Sequence, residues 1–256
     1  YVTRDGRVIW VLSQAKATVG DDGVPYFIGS VTDITDRKLA EEDLRALHQV
    51  LHAANSLKKP AALLQSFVHI IKDICQCDAA GIRMLDEKGN IPYQAHEGFP
   101  ASFYQCENPL SILLHRCMCI QVVTGQLPAG SGFVTPHGSF HTEDATALLA
   151  SLTREQKDGL RSVCHEHGYQ SMALTPIRIH DRILGLVHVV YRRKYGLSRR
   201  RVELLESLAL QIGAAVQRAA VEDELIQHRD NLDQLVMRRT AELEAANRLL
   251  QQEIDG

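Results

Sequence analysis

A strand-like segment turns directly into a helical one near residue 35, and this junction constrains the fold more than any other feature. Residues 26–31 (Tyr-Phe-Ile-Gly-Ser-Val) have the aromatic and β-branched content of a strand. From Asp36 onward the chain is charged and its apolar residues recur at helical spacing. The period therefore changes from two to about 3.6 within a few residues. Such a junction predicts a mechanical connection between a sheet and a helix.

The composition indicates an ordinary globular chain. Hydrophobic residues make up 45% and charged residues 23% of the 256 residues, so no extensive disorder is expected. A net charge of -3 gives no reason to expect nucleic acid as a partner. Because no apolar run approaches the roughly 18 residues of a membrane span and no signal peptide is visible, we expect a cytoplasmic protein. The start at Tyr1 and the end in a helical pattern suggest a piece of a longer chain.

Residues 1–35 are predicted to form two strands joined by a turn. The strands are Arg7–Leu12 and Tyr26–Val31, and Gly20–Gly23 supplies the turn. Two strands do not form a stable domain alone. With Asp33-Ile-Thr-Asp-Arg37 after it, this hairpin resembles the C-terminal end of a PAS domain that runs into the signalling helix of a bacterial or archaeal sensor histidine kinase. The resemblance implies that residues 1–35 are the remainder of such a domain.

The predicted elements of residues 58–218 follow the order helix, two strands, long irregular region, two strands, helix. The predicted strands are residues 79–85, 91–96, 171–179 and 183–191. Ala173–Val187 resembles the central hairpin of a GAF domain, and Glu203–Val216 resembles its closing helix. The resemblance implies an α+β fold, with an antiparallel sheet and flanking helices.

Helical spacing predicts several further elements. One helix covers residues 36–57, and a second covers residues 61–75 after a break at Lys58–Pro60. The first helix has an apolar stripe that consists of Leu39, Leu44, Leu47, Leu51 and Ala54. In the irregular region we expect helices near Leu110–Cys117 and Glu155–His167. A last helix begins near Ser198 and turns five residues inward: Val202, Leu205, Leu208, Ile212 and Val216.

Residues 219–256 have a heptad-like pattern. Leu225 and Leu232 occupy one seam position, and Val236, Leu243 and Leu250 occupy the other. The pattern predicts a coiled-coil signalling helix, and a homodimer that associates through this helix and the linker of residues 36–57. A solvated single helix is the alternative.

The cysteines and histidines of the irregular region are the candidate site. Cys117 and Cys119 lie two residues apart, and the stretch Cys164-His-Glu-His167 adds one thiol and two imidazoles. Thiolate and imidazole are ligands for zinc, iron–sulfur clusters or haem. Four donors from Cys117, Cys119, Cys164 and His165 or His167 could form a tetrahedral zinc site. Two alternatives stay open: buried apolar thiols that line a pocket, and a reactive redox thiol.

The same region resembles a subfamily of GAF domains in PAS–GAF histidine kinases. The resemblance rests on the cysteine pair, on Gly138-Ser-Phe-His-Thr142, and on Cys164 ahead of Gly168-Tyr169. His141 stands where that subfamily has tryptophan. Because some sensor-kinase GAF domains hold haem, the resemblance implies a haem hypothesis with Cys117 or Cys119 as anchor and His165 or His141 as axial ligand.

The expected function is sensory. The GAF domain would respond to a small ligand, haem or redox state, and the helices would relay the change to an output domain downstream in the parent chain. We expect a histidine kinase as that output, with a cyclic-dinucleotide enzyme as the second possibility, and no catalytic residue in this fragment. The alternative is a thiol-based redox enzyme or a metal-binding domain built on the Cys/His cluster.

Overall fold

A computed structural model describes residues 1, 9–19, 21, 23–56, 60–108, 110–127, 132–157 and 160–254, with side chains to residue 248. The strands are β1 Val11–Val19, β2 Pro25–Asp33, β3 Ala79–Met84, β4 Tyr93–Glu97, β5 Phe140–Thr142, β6 Ser171–Ile179 and β7 Arg182–Tyr191. The helices are α1 Thr35–Ser56, α2 Pro60–Cys75, α3 Ala101–Glu107, α4 Met118–Thr124, α5 Ala145–Ser151, α6 Arg154–Lys157, α7 Val163–Glu166 and α8 Arg199–Ile254.

The N-terminal hairpin forms, with a first strand later in the chain than predicted. β1 pairs antiparallel with β2 from Val11↔Asp33 to Val19↔Pro25, so the ladder extends through a polar stretch that the sequence did not indicate. Residues 7 and 8 of the predicted strand, and Gly20 and Asp22 of the predicted turn, lie outside the described residues. The Trp10 backbone N–H donates to the Thr35 hydroxyl, which fastens the hairpin to the start of α1.

A separate five-stranded antiparallel sheet forms the centre of the fold, in the order β4-β3-β7-β6-β5. β3 pairs with β7 from Ala79↔Val190 to Met84↔Gly185, and β6 pairs with β7 through the hairpin at His180. The three-residue strand β5 was not predicted, and it closes the outer edge beside β6. Together with the flanking helices, this sheet confirms the predicted α+β class.

One face of the sheet is covered by α1, α2 and α8, and we call it the helix face. Its core is mainly aliphatic, with the predicted Val202, Leu205, Leu208 and Ile212 of α8 all buried. Of the predicted stripe of α1, Leu47 and Ala54 pack against this core, whereas Leu44 and Leu51 are exposed. Instead, the small side chains Ala46, Val50 and Ala53 are buried against the neighbouring helices. These small side chains allow α1 to lie close to the neighbouring helices.

The opposite face is covered by the segments between β4 and β6, and we call it the loop face. The predicted helix at Leu110–Cys117 is wrong: the chain there makes a turn between the bridges Asn90↔Ser111 and Arg116↔Leu160. The short helices α3 and α4 flank that turn. The predicted helix at Glu155–His167 is also wrong, because α6 and α7 occupy only its two ends and residues 158–159 are outside the described part of the chain.

Two helices on the helix face run side by side in the same direction. Arg200 of α8 forms an ion pair of 2.5 Å with Asp43 of α1, and further along both helices Arg218 donates to the Asn55 side chain at 3.0 Å. The 56-residue α8 continues without a break into the heptad-like region, where Leu225, Leu232, Val236 and Leu243 are exposed. The side chain of Leu250 lies outside the described residues. No helix in the described ranges is long and apolar enough to cross a membrane.

Candidate functional site

Three of the predicted cysteines surround one small cavity on the loop face. Cys117 precedes α4, Cys119 is in its first turn, and Cys164 is in α7. All three line a cavity of about 50 Å³, together with the predicted His165 and with Met172 and Leu174 of β6. The other lining residues are mostly aliphatic. The fold therefore brings together two cysteine segments that are about 45 residues apart in the sequence.

Beneath this cavity lies a buried ionic group that the sequence analysis missed. Arg83 of β3 is fully buried and donates to the backbone oxygens of Ile91 and Glu107 at 2.8 and 2.9 Å. The Glu107 carboxylate is bound by Arg83 at 3.5 Å and by Arg161 at 3.0 Å. Burial opposes the charge, yet nearby Tyr93, Cys119 and Glu107 raise the pKa of Arg83 overall. A buried carboxylate held by two guanidinium groups joins β3 and α3 to the segment that leads to Cys164 in α7.

An imidazole joins this ionic group to the thiols. The Arg83 guanidinium lies 3.7 Å from the centre of the Tyr93 ring, and the Tyr93 hydroxyl lies 2.8 Å from Nδ1 of His188. On the other side of the ring, Nε2 of His188 lies 3.9 Å from the Cys164 sulfur. Burial, and secondarily the positive charge of Arg83, lowers the pKa of His188 to about 3. His188 is therefore a neutral bridge between a phenol and a thiol at physiological pH.

The three thiols differ in the direction in which their surroundings shift the pKa. A hydrogen bond from Cys119 lowers the pKa of Cys117 despite its burial. The same bond, with burial added, raises the pKa of Cys119, while burial is the main reason that the pKa of Cys164 is raised. Because the thiolate is the reactive form of cysteine, Cys117 is the best candidate for a nucleophile. None of the described cysteines is in a disulfide.

The three predicted histidines are dispersed, and of them only His165 lines the thiol cavity. His141 is in β5 and lines a different cleft, on the helix face. His165 borders the thiol cavity, but its Nε2 bonds to the Thr146 hydroxyl at 3.0 Å. His167 Nδ1 lies 3.0 Å from the Val163 carbonyl oxygen, and its ring meets Phe103 edge-on.

The cavity does not fit haem. A volume of about 50 Å³ is far below the roughly 300–1,000 Å³ of ordinary small-molecule sites, and the proposed axial ligand His141 lies elsewhere. Aromatic side chains fill the rest of the loop face, with Phe99 stacked on Phe103 at 4.8 Å and edge-on to Tyr169. Among the residues described, no three or more His, Cys, Asp or Glu side chains are arranged to hold a metal ion. The geometry thus gives the zinc hypothesis no support.

Comparison with known proteins identifies the fold. The family model of the GAF domain matches residues 59–216, which is more than half of the chain. This chain belongs to the GAF domain family. Its long C-terminal helix and antiparallel sheet with flanking helices agree with that assignment. No curated protein matches the chain.

Solved structures of several other proteins share the fold at low identity. The GAF domain of a phosphoenolpyruvate-protein phosphotransferase from Coxiella burnetii is 16% identical with a TM-score of 0.54, and the match covers 72% of this chain and 98% of that one. The corresponding Acinetobacter domain is 15% identical (TM-score 0.53; 71% and 97% covered). Free methionine-R-sulfoxide reductase from Neisseria meningitidis, in complex with its substrate, is 13% identical (TM-score 0.53; 72% and 93% covered). The same fold therefore occurs in GAF domains of phosphotransferases and in a reductase.

Proposed function

We propose that this chain is the sensory and regulatory module of a signal-transduction protein, with a histidine kinase as its parent. The thiol cavity of the GAF domain senses the redox state or a small ligand, and α1 and α8 relay the response. We propose a cytoplasmic homodimer whose helices form a continuous spine, preceded by the remainder of a PAS domain in residues 1–35. The proposed divisions are a linker of residues 36–57, a GAF domain of residues 58–218 and a signalling helix of residues 219–256.

The observation that supports this proposal most is the arrangement of α1 and α8. The two helices are tied at two levels by Arg200–Asp43 and Arg218–Asn55, and they run parallel. A change that rotates one helix must therefore move the other, because both ties contribute to their register. α8 then carries that movement without a break beyond the GAF domain. The match to the GAF family model ends at residue 216, whereas α8 continues to Ile254. This extension beyond the domain favours a relay.

The sheet offers a path from the cavity to α8. Met172 and Leu174 of β6 line the thiol cavity, whereas Ala173 between them is buried in the core of the helix face. Successive residues of a strand point to opposite faces, so a shift of β6 is felt on both. On the helix face a Cβ at Gly213 of α8 would collide with the Arg178 carbonyl oxygen of β6. This close contact leaves little room to absorb a strand movement without moving the helix.

Hydrogen–deuterium exchange tests the sensory step. We expect mild oxidation by diamide to change exchange rates in α1 and in the first turns of α8, as well as around the cavity. Cys164→Ser removes a cavity thiol and should abolish the distant changes. Cys106→Ser is the matched control, because Cys106 is exposed and does not line the cavity. Changes confined to the loop face, or unaffected by Cys164→Ser, contradict the relay.

The dimer is tested separately. The exposed leucines of α8 would be buried in a parallel coiled coil, since they recur at heptad spacing. We expect sedimentation analysis to give a dimer that Leu232→Lys with Leu243→Lys converts to a monomer. Leu113→Lys with Leu114→Lys, at an exposed turn outside α8, should leave it unchanged. A monomeric wild type contradicts the proposed spine.

A second candidate function is a thiol-dependent sulfoxide reductase. The observation that favours it is Cys117, whose pKa is lowered beside a second thiol. A sulfoxide oxygen would leave as water while Cys117 and a neighbouring thiol are oxidised to a disulfide, which an external dithiol must then reduce. The reductase of similar fold from Neisseria meningitidis acts on free methionine-R-sulfoxide. The small cavity gives a substrate little room, and we therefore place this function second.

A direct assay separates the two functions. If the chain is a reductase, free methionine-R-sulfoxide with dithiothreitol should yield methionine in the presence of the wild type, and Cys117→Ser should abolish the yield. Cys106→Ser should retain it. No methionine above the rate with dithiothreitol alone would eliminate this substrate. The oxidation-dependent exchange in α8 would then remain the measurement that supports the sensory function.

A further inference from the structure

A second cleft lies on the helix face, away from the thiols. It has a volume of about 750 Å³ and opens between the outer strands β5 and β6, the turn that precedes β5, and the first turns of α8. Six of its residues carry the polar groups that matter for recognition: Thr135, Ser139, His141, Thr175, Arg178 and Glu206. The size suits a small organic molecule. Unlike the thiol cavity, this cleft is bordered directly by the long helix.

The cleft contains a guanidinium without an ion-pair partner. Arg178 of β6 is partly buried, and none of the described carboxylates forms an ion pair with it. Its Nε is buried with no hydrogen-bond partner in the described part of the chain. Its terminal nitrogen approaches to 2.6 Å from where a Cβ on Gly138 would lie, and Gly138 has φ +79°. The glycine turn thus makes space for a guanidinium that no carboxylate in the described part of the chain neutralises.

Two buried hydroxyl groups in the same wall also lack partners. Ser139 and Thr175 are 0% and 1% exposed and both line the cleft. Neither Ser139 Oγ nor Thr175 Oγ1 has a hydrogen-bond partner among the described atoms. Because buried hydroxyls are normally paired, two unpaired ones beside an unpaired guanidinium need an explanation. A bound anion that accepts from all three would supply it.

The other wall limits which anion is suitable. Glu206 of α8 is buried and its carboxylate accepts a hydrogen bond from the Thr135 hydroxyl. Glu203 also borders the cleft, where it pairs with Arg199 at 3.3 Å. These carboxylates disfavour a doubly charged phosphate and can accept from a hydroxyl or ammonium group. The cleft therefore matches a singly charged group with a donor nearby.

We propose that this cleft binds a small α-hydroxy or α-amino acid. The ligand's carboxylate accepts from Arg178 and from the hydroxyls of Ser139 and Thr175, while its hydroxyl or ammonium group donates to Glu206. Binding would join β6 to α8 directly, because Arg178 and Glu206 belong to those two elements. The site is distinct from the thiol cavity, and its occupancy does not depend on redox sensing or on the proposed kinase parent.

The test uses the whole chain and four probes: L-lactate, L-serine, L-glutamate and inorganic phosphate. Titration calorimetry gives the affinity for each. Arg178→Gln removes the charge at similar length, and Arg182→Gln is the matched control, an exposed arginine that lies across the hairpin and outside the cleft. We expect at least one of the three acids to bind the wild type and Arg182→Gln equally, and Arg178→Gln at least tenfold more weakly. Binding by phosphate alone, by none of the four, or undiminished by Arg178→Gln overturns the proposal.

Thr175→Val supplies a second measurement that does not depend on the arginine. Valine has a similar shape but no hydroxyl, so in the absence of ligand the unpaired group is removed and the melting temperature should rise or stay equal. The same variant should bind the acid several-fold more weakly. A Thr175→Val protein that binds as tightly as the wild type contradicts the role given to the buried hydroxyl.

Discussion

The loop face and the helix face of the central sheet are buried by different interactions. On the loop face, charged and aromatic side chains form a continuous group that includes Arg83, Glu107, Tyr93 and His188. On the helix face the core is mainly aliphatic, and α8 contributes leucines and isoleucine to it. The loop face therefore depends on pairing and protonation, whereas the helix face depends on shape and apolar area. The two faces should differ in their response to substitution and to pH.

The largest expected effect is on the loop face. Arg83→Met leaves the buried Glu107 carboxylate with only Arg161, and breaking a buried ion pair in this way costs about 4 kcal/mol of unfolding free energy. Urea denaturation at neutral pH measures it. Arg161→Met, at a partly exposed partner of the same carboxylate, should cost clearly less. A loss for Arg83→Met no greater than for Arg161→Met contradicts an electrostatically fixed loop face.

A substitution on the helix face sharpens the comparison. Leu208 is 0% exposed, and Leu208→Ala should cost about 3 kcal/mol through lost burial and the cavity it leaves. Leu210, two residues along the same helix, is 57% exposed, and Leu210→Ala should change the unfolding free energy by less than about 0.5 kcal/mol. Because no charge is involved, both values should be insensitive to salt. Equal losses at the two leucines would mean that the helix face is not packed as described.

The same contrast explains what could be predicted from the sequence. Apolar periodicity identified β6, α2 and the inward residues of α8, because long elements on an aliphatic face repeat a simple pattern. It failed for α3, α4, α6 and α7, which have four to seven residues each and are positioned by tertiary bridges such as Arg116↔Leu160. In α1 the pattern was right for Leu47 and Ala54 but missed the fully buried Ala46, Val50 and Ala53, which are smaller than the leucines it favoured.

The candidate site shows a similar division. Cys117, Cys119 and Cys164 drew attention by residue type, and the fold places them around one cavity. Arg83 and His188 were missed because each lies in a strand whose other residues are nearly all apolar. The signal that could have found them was a charged or imidazole side chain within an otherwise apolar strand. Such a side chain is buried only when it has polar partners, so it marks a buried polar group. The helix-face cleft was missed because its residues come from three separated segments.

A third prediction uses pH to separate the faces. In the unfolded chain His188 becomes protonated below pH 6.5, its ordinary pKa, whereas in the folded protein its pKa is about 3. Between these two values the unfolded state binds more protons, so the free energy of unfolding falls as the pH is lowered. From pH 7 to pH 5 this group alone should remove about 2 kcal/mol. His188→Gln retains an acceptor for Tyr93 but does not titrate, so its loss over the same range should be smaller by that amount.

The control for this pH prediction comes from the other face. Leu208→Ala should be less stable than the wild type by a constant amount at pH 7 and pH 5, because no titrating group is altered. His96 and His141, whose pKa values burial also lowers, are present in all three proteins and cancel in the differences. Parallel curves for His188→Gln and the wild type would show that His188 is not buried in its neutral form.

The smallest expected effect is at the edge where the helix face opens into the cleft. Gly138 has φ +79°, which L-residues rarely adopt, and Arg178 occupies the space beside it. Gly138→Ala should therefore cost about 1 kcal/mol of unfolding free energy. Gly132, in the same segment, has open space where a Cβ would lie, and Gly132→Ala should be nearly neutral. Combining Gly138→Ala with Arg178→Ala removes the crowding but not the backbone strain, so the pair should be less costly than the sum of its single changes. Strict additivity would mean that the turn and the guanidinium are independent, and that Gly138 does not make room for Arg178 in the cleft.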